Sequence, residues 1–192
     1  MKLLRVLVLA VVIVGLLAGA GLFWATSTGM SARSKPGAME SGMALKVRDW
    51  SIPKSARQLQ NPEGPTPENL AEARKHFADH CANCHGNDGR GGTEMGRNMY
   101  PPAPDMTLAD TQNRSDGELY YVIENGVRFT GMPAWGAGGL NDRDTWRLVL
   151  YIRHLPQVSR QELLDMEDYN PKSPMDMKEE QRENEFLNGP SK

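Results

Sequence analysis

Six consecutive residues, Cys81-Ala82-Asn83-Cys84-His85-Gly86, restrict this chain more than any other stretch, and they hold both of its cysteines. Two thiols three positions apart, followed at once by an imidazole, form the C-x-x-C-H pattern of covalent c-type haem attachment. The thiols of Cys81 and Cys84 add to the two vinyl groups of one porphyrin, and the ring of His85 then lies under the iron. No thiol is left for a disulfide framework or a four-cysteine zinc site. Three other readings compete. A disulfide within the motif closes so short a loop that it stabilises little. A thioredoxin-like redox pair wants a β-α-β setting, whereas the flanks here have helical spacing. Zinc finds suitable ligand types in His76, His80, Cys81, Cys84 and His85. Structural zinc sites, however, draw their ligand pairs from separated segments, and these abut.

The 192 residues suit one domain with appendages. Lys2 and Arg5 precede residues 6–25, which carry no charge and are long enough to cross a bilayer core as a helix, with Trp24 where an interfacial aromatic belongs. Residues 1–25 are therefore a signal-anchor or transmembrane segment. The alternative is a cleaved signal peptide ending at Ala18-Gly19-Ala20, against which Leu22, Phe23 and Trp24 prolong the apolar run. Haem attachment of this kind belongs to the outer face of the bacterial membrane. The expected location is thus the inner membrane with the haem domain on the periplasmic side, or a soluble periplasmic protein after cleavage.

Residues 26–65 are rich in Ser, Gly, Pro and Met without sustained periodicity, and read as a linker. Its six basic residues from Arg33 to Arg57 are suited to anionic lipid headgroups, or to plain solvation. Residues 1–61 hold eight basic and two acidic side chains, residues 62–156 nine and thirteen, and residues 157–192 five and nine. The formal net charge of −2 argues against a nucleic-acid partner.

Residues 66–156 carry the helical signals. Thr66-Pro67-Glu68 is a helix start, after which Leu70, Ala73, Phe77 and Cys81 recur at helical spacing on a face that runs into the motif. Pro101 and Pro102 lie in a stiff segment, and the carbonyl of one of them is the expected partner of the His85 ring N–H. Ser115 and Glu118 form a capping box for a helix that stops at Asn125-Gly126. Met132 then sits between helices beside Pro133, and is the candidate second axial ligand. Met99, Met106 and His154 are the alternatives. Asn141 or Asp142 caps a last helix, expected to pack across the first with Trp146 or Leu150 near Phe77. Arg97, Arg114, Arg128 and Trp135 are possible donors to haem propionates. Residues 157–192 form a polar, acidic tail with a short helix over 160–169 and a weak helical tendency over 179–187.

The order of these parts resembles a class I c-type cytochrome of the small bacterial kind: a helix entering C-x-x-C-H-G, a Pro-rich loop, a capped helix ending Asn125-Gly126-Val127, Gly131-Met132-Pro133-Ala134-Trp135-Gly136, and a closing helix with an early Trp. The resemblance covers about half the chain. It implies an all-α cytochrome c fold of three to five helices around one haem c. It further implies thioether attachment at Cys81 and Cys84, and iron ligation by His85 and Met132. The expected function is one-electron transfer between redox protein partners, a donor and an acceptor, without catalysis by this chain alone. Membership of a larger oxidoreductase complex is the second expectation, and a haem sensor or peroxidase-like site with a labile Met132 the third.

Overall fold

The uncharged amino-terminal run forms one helix, α1 (Lys2–Ser27), in which no residue is buried. It belongs to a unit of residues 1–34, separate from a second unit of residues 35–192. The computed structural model describes residues 1–27, 31–136, 142–172 and 174–189, and among these there is no strand.

In the second unit the local signals act as physical chemistry demands. Thr66 accepts a hydrogen bond from Asn69 N–H at 3.2 Å and Pro67 occupies the first turn, so α4 (Pro67–His76) starts there. The helix loosens into a π-helical turn, Phe77–Cys81, and regains α geometry as α5 (Ala82–His85). Ser115 accepts from Glu118 N–H while the Glu118 carboxylate accepts from Ser115 N–H, closing the capping box of α8 (Asp116–Asn125). Asp142 caps α9 (Arg143–His154), accepting from the N–H groups of Asp144 and Thr145 at 2.9 and 3.0 Å. The alternative cap, Asn141, lies outside the described residues.

The core lies where α4 crosses α9. Phe77 is buried against Tyr151, ring centroids 5.0 Å apart, and Trp146 stacks on Tyr120 of α8 at 4.1 Å. The ring that meets Phe77 is thus Tyr151, while Trp146, one of the two residues expected there, stacks on Tyr120. Five residues of α-helix turn the side chain by about 140°, so α9 shows Trp146 to α8 and Tyr151 to α4.

The segments on either side of the expected domain also differ from the sequence reading. Residues 38–51 are helical (α2, Ala38–Ser51), and α3 (Lys54–Arg57) follows. Ile52 and Ala56 are buried. A Cβ on Gly117 would stand 1.9 Å from the Ala56 carbonyl oxygen, so glycine permits this closeness of α3 to α8. Asp49 pairs with Arg114 at 2.9 Å, Arg57 with Glu118 at 3.2 Å and Glu63 with Arg143 at 3.0 Å. The linker reading missed this strap because its buried residues are few and their partners lie far along the chain.

Beyond Pro156, α10 (Arg160–Glu167) starts on a Ser159–Glu162 capping box, and its Met166 is fully buried with Sδ 2.9 Å from the Tyr151 hydroxyl. The Asn170 amide donates to the Ala78 carbonyl at 3.0 Å and exchanges hydrogen bonds with Asn87 at 2.8 and 3.0 Å. This part of the tail is integral to the domain, because one buried thioether and one amide clamp outweigh its polar composition. Farther on, α11 (Pro174–Asn188) begins earlier than the expected 179–187.

Met166→Ala empties a sealed site and should lower unfolding free energy by about 2–5 kcal/mol, read as a shifted urea midpoint at unchanged slope. The Glu162 carboxylate is a second test. Burial pushes its pKa up, but hydrogen bonds from Ser159 and contact with His154 prevail and hold it below the ordinary value. A depressed carboxylate pKa gives stability that is present above the unfolded value, about 4.3, and is lost as pH falls through the folded one. Glu162→Gln should therefore flatten the decline of unfolding free energy in that acid window.

Candidate functional site

The π turn sits immediately before the second half of the C-x-x-C-H motif, and its wider register buries Phe77 and Ala78 while leaving Cys81 half-buried. Such turns recur at functional positions in helices. Ala82 is buried behind the motif, and Cys84 is half-buried with Sγ 3.5 Å from Met95 Sδ. Thr93 caps α6 (Glu94–Asn98) through Gly96 N–H at 2.9 Å, and its hydroxyl donates to the Cys84 carbonyl at 3.0 Å. The motif's backbone is thus tied from both sides.

Both thiols are neutral at physiological pH. Burial, then the neighbouring Cys84, pushes the Cys81 pKa up to about 12, and burial raises that of Cys84. His85 is shifted the other way. Burial lowers its proton affinity, partly offset by the Pro104 carbonyl. Its Nδ1 is shut from solvent with no hydrogen bond of ordinary geometry. The carbonyl acting on His85 belongs to Pro104 and not to the expected Pro101 or Pro102. A run of four residues containing three prolines offered several oxygens, and spacing alone did not choose among them.

The loop after α8 carries Met132. Val127 N–H donates to the Met132 carbonyl at 3.1 Å, Met132 N–H to the Thr130 hydroxyl at 3.1 Å, and Trp135 N–H to the Ile123 carbonyl at 3.0 Å. Met132 is half-buried. Met99 lies against this loop, and a Cβ on Gly131 would stand 2.6 Å from its Sδ. Met106 is buried in the core, and His154 is engaged by Glu162 at 2.9 Å. Of the alternatives to Met132, only Met99 is brought to the distal loop.

The four suggested propionate donors are differently placed. Arg114 is taken up by Asp49, and Arg97 donates to the Gly92 carbonyl. Arg128 is exposed. Trp135 stands edge-on to His80, centroids 5.4 Å apart, and His80 stacks on His76 at 4.6 Å. Three further features escaped the sequence reading. The Glu124 carboxylate is buried against Gly136 and within reach of the Tyr120 hydroxyl. Phe129 is exposed in the left-handed region, φ 63°. The Asn87–Asn170 clamp closes behind the motif. Only the last left a hint in the sequence, as an Asn two positions after His85.

The donor set fits a covalently bound haem: two neutral thiols on consecutive helical turns, a neutral half-buried imidazole in the form that ligates metal, and a half-buried thioether on a separate loop. Among the described residues no three or more His, Cys, Asp or Glu side chains are grouped so that they could hold a metal ion.

Residues 68–152 match the family model described as "Cytochrome C oxidase, cbb3-type, subunit III". The chain is 39% identical over 93 residues to the cbb3-type cytochrome c oxidase subunit FixPc of Rhizobium leguminosarum bv. viciae, covering 47% of this chain and 30% of that one. It is 34% identical over 85 residues to the subunit CcoP of Cereibacter sphaeroides, covering 44% and 27%. It is also 31% identical over 96 residues to a thiosulfate dehydrogenase of Stutzerimonas stutzeri, covering 47% and 30%. The chain thus spans less than a third of the length of these relatives.

Gly131→Ala forces Met99 or the distal loop to move, and should cost about 1–3 kcal/mol of overpacking. Met99→Ala in the same chain should recover most of that loss in urea unfolding; an additive loss would place the clash elsewhere.

Proposed function

We propose that this chain, in which residues 68–152 are a class I c-type cytochrome domain, carries single electrons between protein partners from a membrane anchor. The reading rests above all on the arrangement of Cys81, Cys84 and His85 on one immobilised helix turn, with Met132 on a separate hydrogen-bonded loop. One haem c is expected, since the chain has a single pair of thiols. When bound, the group supplies a one-electron Fe(III)/Fe(II) couple. Cys81 and Cys84 fix its position through thioethers. His85 and Met132 would hold the iron, and a thioether ligand would bias the couple toward the reduced form relative to a second nitrogen ligand.

The remaining residues have supporting roles. Pro104 orients the His85 ring through its carbonyl, as ligating histidines require of an outer partner. Trp135 and Arg128 are the propionate donors we favour, because Arg97 and Arg114 are already engaged. With both His85 and Met132 holding the iron, no place would be left there for a substrate, which supports a carrier role for this chain. Helix α1 is long and apolar enough to cross a membrane, and we place the haem domain on the periplasmic face of the inner membrane, where thioether attachment takes place.

The relatives named as oxidase subunits support a narrower version, in which this chain serves as the cytochrome subunit of an oxidoreductase complex. The partners would then be a soluble electron donor and the catalytic subunit. A sensor or peroxidase-like role would need a labile Met132, and the hydrogen bonds that hold its loop from Val127, Thr130 and Ile123 speak against it.

The test is the optical spectrum of the full chain matured with haem-attachment machinery. The expected form is low-spin in both oxidation states, with the methionine-to-iron charge-transfer band when ferric and no response to carbon monoxide when ferrous. Met132→Ala should abolish that band, admit carbon monoxide and lower the reduction potential, while covalent attachment persists. A wild-type protein that binds carbon monoxide at once would overturn the carrier reading.

A further inference from the structure

Helix α2 has two unlike faces. Successive residues of an α-helix are turned by about 100°, which puts Ser41, Leu45, Arg48 and Asp49 on one side and Met39, Met43, Val47 and Trp50 on the opposite one. The first side faces the domain. Asp49 pairs with Arg114 at 2.9 Å, Glu40 on the flank bonds the Tyr100 hydroxyl, and the chain continues into buried Ile52 and Ala56. The second side is apolar and bare: Met39 is 80% exposed, Met43 63%, Val47 60% and Trp50 81%. A helix in water does not ordinarily keep four large apolar residues in one outward stripe.

We propose that this stripe lies in the membrane interface, so that α2 rests on the bilayer and fixes how the haem domain is presented. Three observations select a lipid surface as the occupant. Ten residues separate Ser27 at the end of α1 from Ala38 at the start of α2, and even fully extended they reach only about 35 Å. The charges are sorted to match: Lys46 borders the stripe and Arg33, Lys35 and Lys54 flank the helix, all exposed, while Glu40 and Asp49 are occupied by protein partners. Finally, the stripe includes a tryptophan, the residue that favours the boundary between acyl chains and headgroups. A basic-edged helix with Met, Val and Trp on one face has the composition of an interfacial element.

The consequence reaches the electron-transfer site. Because α2 is joined to the domain through Asp49–Arg114, Glu40–Tyr100 and the buried Ile52 and Ala56, a helix lying on the bilayer holds the domain in one orientation. Partners then approach from the directions left open.

The chain carries its own probes and controls. Met39 is 80% exposed and Met175, on α11, is 79% exposed, so in water they should react alike with hydroxyl radicals. The haem-loaded full chain is placed one copy per nanodisc, in a mixture of zwitterionic and anionic phospholipid. It is footprinted by a brief radical pulse, and each methionine is scored by mass spectrometry. Met39 and Met43 should be modified at least about fivefold more slowly than Met175, as expected for side chains inserted among acyl chains. The double variant Met43→Glu/Val47→Glu, with its haem spectrum unchanged, should bring Met39 back to the Met175 rate. Equal rates in the wild type would overturn the proposal, and leave the stripe to a protein partner absent from the nanodisc. Protection that survives the double variant would also overturn it, since something other than lipid would then cover Met39. A chain that fails to co-elute with nanodiscs would overturn it together with anchoring by α1, and size exclusion tells that failure apart from the others.

Discussion

A helical turn that offers two thiols and an imidazole within five positions must be held from behind, because its front is fully committed. In this protein the hold begins with Tyr151. Its ring lies against Phe77, which introduces the π turn, and its hydroxyl contacts the buried Met166 sulfur of α10. Asn170 then grips the Ala78 carbonyl and Asn87 on either side of the motif. Buried packing fixes how deeply the motif is seated, since dispersion fades within an ångström of a lost contact. The amide clamp adds direction, because hydrogen bonds weaken steeply with misalignment. Together they turn a flexible helix end into a fixed mount.

The same mount explains the electrostatic state of the site. Burial keeps Cys81 and Cys84 as thiols and His85 as a neutral ring. A charged imidazole is useless as a ligand, so the environment that packs the motif also selects the protonation state that the proposed ligation by His85 needs. The Pro104 carbonyl pulls the other way, favouring a proton on the ring. Applied at Nδ1, that pull would leave Nε2 bare. Desolvation and a single oriented dipole thus share the task of preparing His85.

Legibility from the sequence followed the range of the interactions. The starts of α4, α8 and α9 were readable because caps act over three residues: Thr66 with Asn69, Ser115 with Glu118, Asp142 with Thr145. The haem motif was readable because its chemistry requires its spacing. The strap of α2 and α3 was not, since Ala56 meets α8 at the missing side chain of Gly117, and a glycine inside a helix announces a cost before it announces a contact. The tail misled for a related reason. Its average composition is polar, but Met166 and Asn170 do the joining, and an average hides two residues. The choice of Pro104 over Pro101 and Pro102 depends on how a whole loop folds, which no local rule supplies.

Under the proposed function, tethering changes what the docking surface of an electron carrier must achieve. A soluble carrier finds its partner by diffusion and needs enough affinity to linger, whereas a domain held near the membrane meets membrane partners at an effective concentration set by its tether. Affinity can then be low and release fast, which suits the small interfaces of redox encounters. A long floppy tether dilutes this advantage, because effective concentration falls as the reachable volume grows. The described segment between Ala38 and Arg57 is the reverse of floppy: two helices, buried anchors at Ile52 and Ala56, and ion pairs to Arg114 and Glu118. Most of what composition marks as linker is therefore packed onto the domain, and under the proposed carrier function a shorter free tether means a higher effective concentration of membrane partners.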